Sequence, residues 1–187
     1  MDFKKEIGRK LIHLAWIIPL ILYLYVFKSL LFLLILFLIF FIADILRIYF
    51  NVKLPLLHLL RKKEKKRFFA PTTTTFAVFL AFLLFREDIA IVSVLMMVFG
   101  DTVAAIVGIR LGKITFPLNK AKKIEGLLAE FIIDVIIGSL ILKNYLIAIV
   151  MSLVATFVEG INKKYDDNML IILSASAIGT ILLFILS

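Results

Sequence analysis

Apolar residues run in blocks far longer than a soluble helix or strand requires, and most charged residues fall in the gaps between them. The first two blocks, LIHLAWIIPLILYLYVF and SLLFLLILFLIFFIA, lie almost back to back. Crossing a bilayer takes roughly 20 predominantly apolar residues, so each block has about the length of one span. Reading such blocks along the chain predicts seven helices, near 11–27, 29–46, 69–85, 88–110, 125–142, 144–160 and 168–187. The expected fold class is all-α, a polytopic transmembrane helix bundle in which 1–187 forms a single integral-membrane domain. A second block so soon after the first, with no small-residue cleavage site between them, argues against a removable signal peptide.

Composition strengthens this picture. The chain of 187 residues is 63% hydrophobic and contains 18 Phe, too much apolar surface for its polar residues to cover in water. Charge then orients the bundle. Of 22 Lys and Arg, 19 fall in the N-terminal segment and in loops on one side, near 47–68, 111–124 and 161–167. Only Lys28, Arg86 and Lys143 fall on the other side. The positive-inside rule makes those three loops and the N-terminus cytoplasmic and the C-terminus external. The net charge of +9 thus reports topology and anionic lipid, as does the basic stretch RKKEKKRFF at 61–69, and no nucleic-acid partner is expected. Asp44, Asp101, Glu125, Glu159, Asp166 and Asp167 share the basic side, whereas Glu87 and Asp88 lie opposite. With no Cys, thiolate metal sites and Cys nucleophiles are excluded, and two His cannot build a His-rich metal site alone.

The residues that could carry chemistry cluster toward the basic side. Asp101 precedes Arg110 by nine residues, which places it roughly 13 Å along a helix from the loop. An ionisable group at that depth faces either a cavity or an oppositely charged partner. Asp101, Ala104, Ala105, Gly108 and Gly112 share one helical face, suited to tight helix packing or to a ligand against the backbone. The following loop supplies Lys113, Lys120, Lys122 and Lys123 before Glu125-Gly126 at a helix start, where lysines and backbone amides can cradle phosphate. The stretch Gly108-Ile-Arg-Leu-Gly112-Lys113 is one residue short of a Walker A spacing and lacks the Ser/Thr after the lysine. Glu130 and Asp134 sit at i, i+4 inside the next span and should point into the bundle, as base, metal ligand or ion-pair partner. Glu159 ends one helix while Asp167 and Asn168 begin the next, a set that reads equally as helix cap or as hard oxygen ligands for Mg²⁺. Arg9 and His13 sit at i, i+4 where the first span enters the membrane, the ordinary place for a snorkelling anchor.

Four of these segments, in order from Gly8 to Asn168, resemble one family. GRKLIH is similar to the R-K-x-x-H opening of the dolichol kinase, phytol kinase and CTP-dependent diacylglycerol kinase group. GDTVAAIVGIRLGK resembles its G-D-x-x-A-x-x-x-G-x-x-x-G-K segment, KKIEG its K-S-x-E-G, and VATFVEGINKKYDDN its A-x-x-E followed by D-N. Phosphatidate cytidylyltransferases are similar through the glycine-lysine-glutamate stretch. The chain departs from the pattern at Lys123 and Leu127, where the family commonly has hydroxyl side chains.

The resemblance implies transfer of the γ-phosphoryl group of CTP to a membrane isoprenoid alcohol of dolichol, polyprenol or phytol/geranylgeraniol type, giving the lipid monophosphate and CDP. It implies Mg²⁺ held by some of Asp101, Glu159 and Asp167 with Asn168, and phosphates held by Lys113, Lys122 and Arg110 beside Gly108 and Gly112. It further implies Arg9 on nucleotide or headgroup, Glu125 orienting a lysine or a metal-bound water, and Asp101 or His13 as base. The alternatives are a cytidylyltransferase that releases pyrophosphate, and a small ion-coupled transporter using Asp101 and Asp134. The many Ile and Lys residues suggest a thermophilic prokaryote and its plasma membrane, or the endoplasmic reticulum membrane in a eukaryote, with the site facing the cytoplasm. A homodimer is left open.

Overall fold

The structure, a computed structural model, describes Gly8, Lys10 and residues 14–50, 52, 68–163 and 166–186. Its described residues form seven long helices and no sheet: α1 (Ile17–Phe27), α2 (Leu30–Phe50), α3 (Ala70–Leu84), α4 (Glu87–Arg110), α5 (Ile124–Leu142), α6 (Tyr145–Ile161) and α7 (Asp167–Leu186). Each coincides with an expected span, the first being described from Leu14 onward. Three of them, α2, α4 and α7, are long and apolar enough to cross a membrane, and α1, α3 and α6 are shorter apolar helices. The remaining one, α5, is 19 residues long and carries Glu125, Glu130 and Asp134.

Local chemistry sets several boundaries. Pro71 lies in the first turn of α3, where its missing N–H costs nothing. Asn144 caps α6 by accepting a hydrogen bond from the Ile147 N–H at 3.2 Å. Both α1 and α5 end on a lysine in the left-handed region, Lys28 (φ 40°) and Lys143 (φ 52°), which lets the chain reverse within two residues. Within α4, Met96–Gly100 forms a π-helical turn, so the helix passes Gly100 without a break and Asp101 opens a regular α segment.

The packing is centred on α4. Ile89, Val92, Met96 and Met97 of α4 are fully buried among Ile147 and Met151 of α6, Ile171 and Ile172 of α7, and Ala77 and Ala81 of α3. Small residues bring helices together. A Cβ on Gly126 of α5 would lie 2.6 Å from the Ala104 carbonyl oxygen and 3.2 Å from Gly108 Cα, so the α4–α5 crossing requires backbone against backbone. The small face of α4 is therefore used for helix packing. The outermost helix is α2, whose Leu31, Ile35, Leu38, Ile39 and Ile42 face outward. It packs on α3 through Phe37 and Phe76, whose ring centroids are 5.1 Å apart, and through a polar clamp at its other end. There the buried Asp44 accepts hydrogen bonds from Arg47 Nε (2.8 Å), Thr72 Oγ1 (2.7 Å) and the Phe69 N–H (2.6 Å).

Candidate functional site

Four helix ends and one loop converge on the side of the bundle that carries the basic loops. The loop 111–123 is a compact hairpin. Thr115 pairs with Lys123, the Phe116 N–H donates to the Lys122 carbonyl at 3.0 Å, and the Ile124 N–H donates to the Ile114 carbonyl at 2.9 Å. Glu125 locks its entrance, accepting the Lys113 N–H at 2.8 Å and the Ile114 N–H at 3.0 Å. The buried Asn119 ties its tip to the end of α6 by donating to the Asn162 carbonyl at 2.7 Å. Phe116 settles over Gly160, where a Cβ would meet its ring at 3.1 Å.

This hairpin turns Lys122 inward while Lys113 and Lys120 stay exposed. Lys122 Nζ donates to Glu159 Oε1 at 2.7 Å and lies 3.5 Å from Asp167 Oδ2. Burial alone would lower its ammonium, but the Glu159 and Asp167 carboxylates outweigh that and hold it above its ordinary value. Lys122 is thus a fixed positive charge at neutral pH. Asp101, one helix away, is ion-paired with Lys10 of the N-terminal segment. Of the two readings of Asp101, an oppositely charged partner is the one observed.

Beneath this layer lie two more acids of α5. Glu130 is within hydrogen-bonding reach of Glu159, and Asp134 sits one turn deeper, against Gly100. Glu130, Asp134 and Glu159 are each 1% exposed or less, which makes this the most acidic interior of the described bundle.

The structure thus brings Lys122, Glu159 and Asp167 into direct contact and places Asp101 close by with Lys10. Asn168 is at the same level but faces α3, donating to Thr74 Oγ1 at 3.0 Å. Asp167 also accepts from the Asn162 side chain. Gly108 and Gly112 pack against Lys123 and α5. Arg110 is exposed at the end of α4. Arg9, His13 and most of the 61–69 basic stretch lie outside the described residues.

The oxygens of Asp101, Glu159, Asp167 and Asn168 are of the type Mg²⁺ prefers. Their arrangement does not fit a preformed magnesium site, since lysines hold the three carboxylates and the Asn168 side chain is turned toward Thr74 of α3. Among the described residues no three His, Asp or Glu side chains are placed to hold a metal ion together.

Three contributors escape the sequence reading. Lys10 appears there only as a topological charge within a motif, yet it supplies the partner of Asp101. Asn119 and Asn162 anchor the hairpin, and a Pro-Leu-Asn turn is the only local signal of that role. Asp44 and Arg47 read as one acid and one topological charge, although their i, i+3 spacing is that of a helical ion pair. Compared with family models, with curated proteins and with solved structures, the chain matches none.

Proposed function

We propose that the protein is an integral-membrane, CTP-dependent kinase that phosphorylates the hydroxyl of a membrane isoprenoid alcohol and releases CDP. The observation that carries this reading is Lys122, a half-buried and permanently charged lysine that the lysine-rich hairpin holds between Glu159 and Asp167. That arrangement sets a polyphosphate-attracting surface over an acidic interior. Phosphoryl transfer asks the protein for positioning and charge neutralisation more than for covalent chemistry. Magnesium enters in this reading as part of the Mg²⁺·CTP substrate, since the acids do not form a site of their own.

The exposed Lys113 and Lys120 would draw the nucleotide to the hairpin. Lys122, shifting from the carboxylates to the γ-phosphoryl oxygens, would neutralise charge as the bond from phosphorus to the lipid oxygen forms and the bond to the β-phosphate breaks. The hydroxyl proton passes to a carboxylate, for which Asp101 has the required depth and a cationic neighbour in Lys10. Glu125 keeps the hairpin in shape and would act through position.

The test is purified protein with Mg²⁺, γ-labelled CTP and a panel of prenols and diacylglycerol. Label should appear in a lipid monophosphate, and Lys122→Met should lower kcat at least about a hundredfold, the scale of one lost electrostatic contact to the reacting group. Release of pyrophosphate instead of CDP would identify a cytidylyltransferase. No transfer to any lipid by folded protein sinks the kinase reading.

A further inference from the structure

We propose that Asp134, with Glu130 one turn away on α5, forms a small-cation site inside the bundle whose occupant is monovalent: a proton or an alkali ion the size of Na⁺. The proposal does not depend on phosphoryl transfer. Its basis is complete burial combined with the absence of any donor. Asp134 is 0% exposed, and neither of its carboxylate oxygens has a hydrogen-bond partner among the described residues. Glu130, 1% exposed, likewise leaves Oε2 without one.

Depth makes this costly. Asp134 lies ten residues beyond Ile124, roughly 15 Å along the helix axis. That is about half of a hydrocarbon core ~30 Å thick. A bare carboxylate at such a level is driven to acquire a proton or a counter-ion. The charged groups that face it from the packed helices are themselves acids: Glu130 on α5, Asp101 on α4 and Glu159 on α6. Lys10 and Lys122, which face inward at this end, are already held, Lys10 by Asp101 and Lys122 by Glu159 and Asp167.

The wall beside Asp134 is also built for close approach. Gly100 ends the π-helical turn of α4, and a Cβ there would lie 2.5 Å from Asp134 Oδ1. Turns of this kind loosen the backbone ladder and recur at functional sites. Because no three of these acids are placed to hold one ion together among the described residues, a single positive charge suits the site better than a divalent ion.

Carbodiimide labelling of the full chain in detergent tests this. In N,N′-dicyclohexylcarbodiimide the acid's oxygen adds to the central carbon and its proton passes to nitrogen, and the adduct rearranges to a stable N-acylurea. At neutral pH, Asp134 should be labelled while the exposed Glu87 is not, and the Asp134→Asn variant should lose that label. Slowing of the reaction about tenfold by NaCl at ten times its Kd, but not by choline chloride, identifies the alkali ion as occupant. Labelling indifferent to Na⁺ identifies the proton. Two readouts need no reagent to enter the bundle: the infrared carboxylic-acid band missing in Asp134→Asn, and a Tm higher in Na⁺ than in choline. Absence of label, band and Na⁺ stabilisation together would mean a bare carboxylate and overturn the proposal. A negative kinase assay leaves all three readouts unaffected.

Discussion

Asp44 shows what a single polar residue does in a greasy interior. It is 2% exposed and accepts from Arg47, from the Thr72 hydroxyl and from the Phe69 N–H just before α3, so removing it takes a buried ion-pair partner from Arg47 and the acceptor from Phe69. Breaking one side of a buried pair typically costs about 3 kcal/mol or more. Asp44→Ala should therefore lower the Tm in detergent clearly, whereas Asp88→Ala, whose pair with Arg86 is exposed, should shift it little. Only part of this was legible in the sequence. The i, i+3 spacing of Asp44 and Arg47 is visible there, but the Thr72 hydroxyl comes from α3 and the Phe69 N–H from the residue that precedes it. Side chains 25 or more residues apart announce no pairing in a single chain. The same limit hid Lys10 behind Asp101, although the depth of Asp101 did demand either a cavity or a partner.

At the scale of elements, hydropathy carried nearly everything. Each block of apolar residues became a helix, the form in which a backbone satisfies its polar groups within one segment and without water. What hydropathy does not encode is which helices touch. Glycine supplies part of that: Gly126 lies where α5 crosses Ala104 and Gly108 of α4, at a separation only a missing side chain allows. Gly126→Val places atoms inside the Ala104 carbonyl contact and should destabilise the bundle by about 1–3 kcal/mol, the usual cost of overpacking. Thermal unfolding in detergent checks it, with Gly8→Val as a control at a position where a Cβ meets nothing within 4 Å. The π-helical turn in α4 was not legible at all, since MMVFG is an unremarkable apolar string.

For the whole molecule, the uneven charge along the sequence foretold where polar chemistry would gather, because Asp101, Glu125, Glu159, Asp166 and Asp167 follow the basic loops to one end, with only Glu87 and Asp88 of α4 at the other. Whether those acids bind metal, pair with lysine or carry protons depends on rotations of whole helices, which periodicity fixes only loosely. The end layer also gives stability a pH dependence. Burial pushes the half-buried Asp166 carboxyl, in the α6–α7 connection, from its ordinary 3.8 up to about 6, against an opposing hydrogen bond from the Met169 N–H. A carboxyl raised in this way destabilises the fold when charged, so its cost is present above about pH 6 and is relieved as pH falls toward 4. Asp166→Asn, which keeps the capping geometry, should raise the Tm at pH 7.5, and the gain should shrink at pH 5. A gain that is independent of pH would contradict the assignment. The π turn, finally, amounts to one residue too many in α4. Such a turn takes up an inserted residue while leaving the helix on either side in place. Deleting the half-exposed Phe99 should therefore give a regular helix with unchanged circular dichroism and similar melting, yet reshape the wall that Gly100 presents to Asp134. A single codon would then separate what folds this chain from whatever it does.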